Sequence, residues 1–239
     1  TKTFESFYQL LLETIPEPVF TPGVYSLKQE MSAQAALDAL LDPANRVELT
    51  VTIPEGTSLQ NVLKMLAEGL SIPLSEFEAA ASTPASYGVP AEATTLEGFL
   101  FPATYTFSPG VTATSVIQRL VDESLLALDA VGVPVDERWE TIIMASVIQR
   151  ESGPDPEDMY KISRVFQNRL AQGMNMGSDV TTCYGAGLIG KDCLLITQAA
   201  LDDTSNLYNT RILPGLPIGP ISNPGAIAID AAYNPTDGP

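Results

Sequence analysis

The sequence predicts an α+β fold, with a small α+β subdomain first and a mostly helical domain with long glycine- and proline-rich loops after it. Three observations carry that expectation. Alternating segments interleave with capped helical segments over residues 1–83. Apolar residues recur at helical spacing through much of 84–239, and the stretches between them are too rich in glycine and proline for any regular element. The 239 residues, 45% hydrophobic and 17% charged, suffice for one large core or two small ones.

Phe4, Phe7, Leu10 and Leu11 stand at helical spacing before the breakers Pro16, Pro18 and Pro22. Val24 to Lys28 reads as a strand, Ser32 caps a helix through Leu41, and Val47 to Ile53 alternates as a strand does. Thr57 and Gln60 have the spacing of a capping box for a helix that ends at Gly69. A short helix around Ser75 to Ala81 runs into the small and polar residues Ser82 to Thr95, where a domain boundary is expected. Ala113 to Leu128 then lays Val116, Ile117, Leu120, Val121, Ser124, Leu125 and Leu128 on one stripe. Helices are expected from Glu137 to Ser152 and from Glu157 to Gln172. Leu213 to Asn223 is irregular, and Asn223-Pro224 reads as an N-cap and first-turn proline for a last helix, Gly225 to Tyr233.

Composition excludes several chemistries. There is no histidine, so imidazole bases, His-ligated zinc and Ser-His-Asp or Cys-His catalysis are absent from this chain. A net charge of -17, from 29 acidic and 12 basic residues, argues against nucleic acid and against an anionic membrane surface. No run of 18 apolar residues occurs. The chain begins at Thr1 without Met and has the look of a trimmed piece, so an anchor elsewhere is not excluded. Cys183 and Cys193 lie ten apart in a glycine-rich loop that can close a disulfide, and such a bond implies an oxidising, exported location; the alternative is two unpaired thiols.

One carboxylate stands out. The segment Thr141 to Ile148 is apolar nearly all round, as in a buried helix, and it terminates in Gln149-Arg150-Glu151. Glu151 falls within about 60° of Met144, Val147 and Ile148 around the helix. Partial burial and the negative end of the helix dipole both raise a carboxyl pKa, and a carboxylic acid protonated near neutral pH can donate its proton. Pairing with Arg150 or Arg169 at a plain helix end is the other reading, and spacing alone favours it. Glu97 and Asp179 are further candidates. Glu97 sits among Phe99, Phe101, Tyr105 and Phe107, which form either a sugar-stacking wall or, on balance, a core.

Several segments follow one another in an order that resembles a known family. They are Ile53-Pro-Glu-Gly-Thr-Ser58, Leu96-Glu-Gly-Phe-Leu-Phe-Pro102 with Tyr105, Ala145-Ser-Val-Ile-Gln-Arg-Glu151 and Asn168-Arg-Leu-Ala-Gln-Gly-Met174. Ser178-Asp179, Tyr208-Asn-Thr210 and Gly215-Leu-Pro-Ile-Gly-Pro-Ile-Ser-Asn-Pro-Gly225 continue the series. The set resembles the endolytic murein transglycosylases, the MltG or YceG-like family, over nearly the whole chain. The resemblance implies a LysM-like peptidoglycan-binding part at residues 20–83, a catalytic domain at 84–239, and a membrane anchor that holds both outside the cytoplasm. It also implies that Glu151 is the catalytic glutamate and that Asn168, Asp179, Thr181, Tyr208, Asn209, Glu97 and Tyr105 surround the substrate. Peptidoglycan strands are the implied partner, with peptidoglycan synthases as possible company, and no metal or organic cofactor is called for. Three departures are visible: Gln149 stands where many members have a second glutamate, Gly177 where a glutamine is usual, and the family's closing strand and histidine-containing tail are expected beyond Pro235.

A lytic transglycosylase needs one acid/base, so the resemblance implies non-hydrolytic cleavage to a 1,6-anhydro-MurNAc end with Glu151 as acid and then base. The alternatives are a hydrolytic muramidase, which pairs Glu151 with Asp179 or Glu97, and a wall-binding or scaffolding module with an inert cleft. The family has also carried the label of a pyridoxal-phosphate lyase, yet none of Lys2, Lys28, Lys64, Lys161 or Lys191 has the sequence context of a Schiff-base lysine.

Overall fold

The computed structural model describes residues 4–188 and 190–238. Residues 1–3 of the first expected domain, Ile189 of the cysteine loop and Pro239 at the end of the second lie outside the described residues. In chain order the elements are α1 (Phe4–Glu13), β1 (Val24–Tyr25), α2 (Ala33–Leu41), β2 (Arg46–Val47), β3 (Leu49–Thr52), α3 (Leu59–Leu70) and α4 (Leu74–Ala81). There follow β4 (Thr104–Phe107), α5 (Ala113–Val131), α6 (Arg138–Glu151), α7 (Glu157–Ala171), α8 (Asp179–Gly185), α9 (Gln198–Leu201) and α10 (Ala226–Tyr233). The α+β class is therefore present, with short strands and predominant helix. The chain divides into two compact units, Thr1–Val51 with Tyr105–Val111, and Thr52–Thr104 with Thr112–Pro239. By compactness α3 and α4 group with the larger unit.

In the first unit β1 and β2 are antiparallel, with Val24 opposite Val47 and Tyr25 opposite Arg46. The expected strand from Val24 is only two residues long, although the Ser26 N–H still bonds in register to the Asn45 carbonyl, 2.8 Å away. The expected strand Val47–Ile53 is two strands, each with a different partner: β2 pairs with β1, and β3 with β4. Strand β4, not foreseen from the sequence, buries Tyr105 and Phe107 and exposes Thr104 and Thr106 in alternation. Helix α2 starts as expected, with Ser32 Oγ accepting from the Ala35 N–H at 3.1 Å, and α1 lies against it.

The second unit is built on α6. Every residue from Thr141 to Ile148 is buried, because α10, α7 and α8 pack around the helix. Phe99 stacks on Trp139 at 6.3 Å, and Ser146 ties α6 to the irregular 213–225 segment by accepting from the Ile221 N–H. Helix α5 buries its stripe from Val116 to Leu128, except half-buried Leu125, and ends at Gly132 in the left-handed conformation. Helix α7 buries Met159, Ser163 and Phe166 on one side.

Two expected caps are not formed. Thr57 Oγ1 donates to the Pro54 carbonyl and does not cap; Ser58 is the N-cap of α3, and the first free amide, that of Leu59, is taken by the distant Glu97 carboxylate. The helix runs past Gly69 to Leu70. Asn223 is not an N-cap either: α10 starts after Gly225, and Asn223 is buried elsewhere in hydrogen bonds to the Leu100 N–H and the Thr57 carbonyl.

Gly98 lies in close contact with α6 and with the 213–225 segment. It has φ +88°, and a Cβ there would lie 2.5 Å from Ile142 Cγ2 and 2.7 Å from Pro220 Cβ. Both the conformation and the space demand glycine. Replacement of Gly98 by alanine is expected to destabilise the protein by at least about 2 kcal/mol, as read by chemical denaturation.

Candidate active site

Glu151 ends α6 and extends from the buried helix into solvent. The partial burial expected from its place on the helix face is absent, because the face covered by neighbours stops at Ile148. Nor does an ion pair with Arg150 or Arg169 form among the described residues. What holds the carboxylate is Ser178, whose hydroxyl donates to Glu151 Oε1 at 2.5 Å. Ser178 itself is buried, and its geometry is set by Thr210 and Thr181. The Ser178 N–H donates to Thr210 Oγ1 at 3.1 Å, and the Ser178 carbonyl accepts from Thr181 Oγ1 at 2.8 Å. The Gly177 N–H donates to the Thr210 carbonyl at 2.9 Å, so two consecutive residues are clamped on one partner.

The carboxylate opens onto a cleft of about 330 Å³ with Lys161, Ile162, Val165, Phe166, Arg169 and Gly177 on its walls. Arg169 donates to the Met176 carbonyl at 2.6 Å, which holds the loop before Ser178 against α7. Lys161 pairs with Asp158. The cleft therefore offers one carboxylate, two cations and an apolar wall.

None of the seven binding residues expected from the resemblance is among those walls. Thr181 and Asn209 have no exposed surface. Thr181 Oγ1 meets Ser178 and Thr210, while the Asn209 amide donates to the Leu201 and Asp203 carbonyls and its oxygen accepts from Thr182 Oγ1. These two side chains shape the loops beneath Ser178. Asp179, the first residue of α8, is exposed and paired with Arg211. Asn168 is half-buried on α7. Tyr105 is buried in the first unit and stacks on Phe107. Ser178 entered the sequence reading only as part of the Ser178-Asp179 motif and was given no role; a small hydroxyl one position before an acidic helix start carries no periodic signal.

Glu97 is the buried carboxylate of the second unit, 4% exposed. Both its oxygens accept from the Leu59 N–H, at 2.9 and 3.1 Å, and Asn223 Nδ2 and the Tyr184 hydroxyl donate to it at 3.2 and 2.9 Å. It is an N-terminal cap for α3 brought from another part of the chain. Burial pushes its pKa up to about 7 against the opposing pull of the Tyr184, Leu59 and Gly98 hydrogen bonds. Half-buried Tyr208 packs edge-on against Tyr184 with ring centres 4.9 Å apart. Burial first, and the Glu97 charge second, raise the pKa of both phenols.

Cys183, on α8, is joined to Cys193, with Cα atoms 5.4 Å apart. Among the described residues no three His, Cys, Asp or Glu side chains converge as metal ligands, and no helix is long and apolar enough to cross a membrane.

Residues 2–239 match the model of the YceG-like family. An endolytic murein transglycosylase from Streptococcus pneumoniae serotype 2 (strain D39 / NCTC 7466) is 28% identical over 249 residues, covering 90% of this chain and 44% of the relative. One from Bacillus subtilis (strain 168) is 27% identical over 237 residues, covering 90% and 64%. The chain thus spans about half the length of the curated relatives it matches. A crystal structure of a putative yceG-like protein from Listeria monocytogenes superposes with TM-score 0.67 at 26% identity, covering 92% of this chain and 77% of that one.

The raised pKa of Glu97 makes a signed prediction. Between its ordinary value of 4.5 and about 7 the folded protein binds the extra proton, so this group's stabilising contribution is full below pH 4.5 and is lost as pH rises through 7. Across that window the parent is expected to lose about 3 kcal/mol relative to Glu97→Gln, whose side chain does not titrate. Denaturant unfolding of both proteins from pH 4 to 8 checks this.

Proposed function

The chain belongs to the YceG-like family, and on that premise we propose that it is an endolytic murein transglycosylase in which Glu151 is the acid and then the base. The observation that carries the reading is a carboxylate at the mouth of a cleft with one oxygen fixed by Ser178, which leaves Oε2 for substrate. In the reaction proposed, the Glu151 carboxyl protonates the glycosidic oxygen between MurNAc and GlcNAc while the bond to MurNAc C1 breaks. The carboxylate then takes the proton of the C6 hydroxyl of the same MurNAc, and that oxygen bonds to C1, closing the 1,6-anhydro ring. No water is consumed and the residue ends protonated, ready for another turn.

The fixed geometry matters because positioning a single acid/base within reach of two oxygens in sequence is most of what such a site contributes. A saccharide seated in the cleft displaces water from the exposed carboxylate, with Phe166 and Val165 as apolar wall and Arg169 as donor. Thr181, Asn209 and Thr210 act through Ser178 and its loop. Asn168, Asp179 and Tyr208 have exposed surface to offer a long glycan, and the LysM-like reading of residues 20–83 remains the proposed source of further glycan binding.

A hydrolytic pair is the less supported reading. Glu97 is buried with its oxygens committed to protein donors, and Asp179 is paired with Arg211, so neither is a ready base for a water molecule. The Cys183–Cys193 bond supports an extracytoplasmic location, where murein lies and disulfides persist.

Digestion of uncrosslinked glycan strands with the products read by mass tests the proposal. The parent is expected to release fragments with anhydro ends, one water lighter than reducing ends, and Glu151→Gln to lower their release at least about 100-fold. Reducing ends alone, or full activity in Glu151→Gln, sinks the mechanism.

A further inference from the structure

Arg150 and Glu151 are adjacent but open onto different cavities. The cavity of Arg150 measures about 220 Å³ and is walled by Ser58, Tyr184, Val180 and Ile221 among others. Two polar groups there lack partners. Arg150 is half-buried and forms no ion pair or side-chain hydrogen bond among the described residues, in a chain with 29 acidic residues to 12 basic. The acids around it are engaged elsewhere: Glu151 with Ser178, Asp179 with Arg211, and Glu97 with Leu59, Tyr184 and Asn223. Glu55 lies against Gly225, where a Cβ would come within 2.1 Å of its carboxylate.

Ser58 is the second. It is 5% exposed and its hydroxyl has no partner. Although Ser58 is the N-cap of α3, its side chain makes no capping bond, so it is left with a free donor and acceptor. A buried hydroxyl and a half-buried guanidinium without partners each carry a desolvation cost that a ligand can relieve. One carboxylate relieves both, since its oxygens accept from each.

The size limits the ligand. A volume of about 220 Å³ lies below the roughly 300 Å³ at which sites for drug-sized ligands begin. It suits a small acidic arm and not a pair of sugar rings. The other walls include the apolar Val180, Leu188, Leu194 and Ile221 and the Tyr184 ring, whose hydroxyl is turned to Glu97. We propose that this cavity is a subsite for a carboxylate with a methyl group on the adjacent carbon, held by Arg150 and Ser58. The proposal rests on murein as substrate, because murein carries that chemistry in two places: the lactyl ether of MurNAc without its peptide, and the alanyl end of the peptide arm.

The test is titration calorimetry of the parent with N-acetylmuramic acid, with D-alanyl-D-alanine, with the amide of each, and with N-acetylglucosamine. At least one acid is expected to bind, with its amide roughly tenfold or more weaker; which acid binds identifies the source. Arg150→Gln and Ser58→Ala are expected to weaken the acid and leave N-acetylglucosamine unaffected. Equal affinity for acid and amide, an unchanged affinity in Arg150→Gln, or no binding by either acid overturns the subsite. The acid and amide comparison needs no variant, so a misfolded Arg150→Gln does not block it. None of these probes contains the MurNAc–GlcNAc glycosidic bond, so a protein that cuts glycans but ignores the acids loses only the subsite. One that binds the acids but cuts nothing loses only the lytic reading.

Discussion

The second unit is organised by the burial of one charge-bearing group, the carboxylate of Glu97. A carboxylate removed from water must find donors or remain protonated, and here the donors come from three segments far apart in sequence. Leu59 brings the start of α3, Tyr184 brings α8, and Asn223 brings the irregular segment before α10. Asn223 in turn reaches the Leu100 N–H and the Thr57 carbonyl. The interaction therefore joins the first amide of α3, the α8 tyrosine and the 213–225 segment at one buried carboxylate.

A second network supports the exposed Glu151. Ser178 is oriented by Thr210 and Thr181, and the Thr181 and Thr210 hydroxyls lie 2.8 Å from each other. Asn209, wholly buried, ties the same loop to the Leu201 and Asp203 carbonyls. The two glutamates divide labour by environment. The buried one, drawn up to about 7, serves structure, while the exposed one has a single fixed oxygen at a cleft. Rigid hydroxyls beneath a solvent-facing carboxylate hold it in place without burying it.

Much of the fold was legible. The stripe on α5, the apolar length of α6, the Ser32 cap and the stop of α7 near Gly173 all rest on contacts within a few residues, where sequence spacing and spatial proximity coincide. The capping box at Thr57 and Gln60 failed because the Thr57 hydroxyl turns back to the Pro54 carbonyl, and the N-cap at Asn223 because its side chain is committed to the distant Leu100 and Thr57 backbone. Strand β4 was missed because its four residues gain their identity from pairing with β3. The expected burial of Glu151 failed because helix periodicity says which side a residue takes but not how far along the helix its neighbours extend. The placement of Thr181 and Asn209 away from any surface could not be read from motif order, which marks residues that matter without separating those that touch a ligand from those that hold the loops.

By itself the sequence determined the α+β class, the buried central helix with a glutamate at its end, the lack of histidine in these 239 residues and the family resemblance. All of these depend on composition, on periodicities of a few residues or on the order of motifs. Tertiary structure alone decided which glutamate is buried, that Ser178 fixes Glu151, and that Arg150 and Ser58 share a cavity without partners of their own. The physical reason is that hydrogen-bond satisfaction and solvent exclusion are properties of the packed chain. They are settled by groups that meet only after dozens of intervening residues have folded between them.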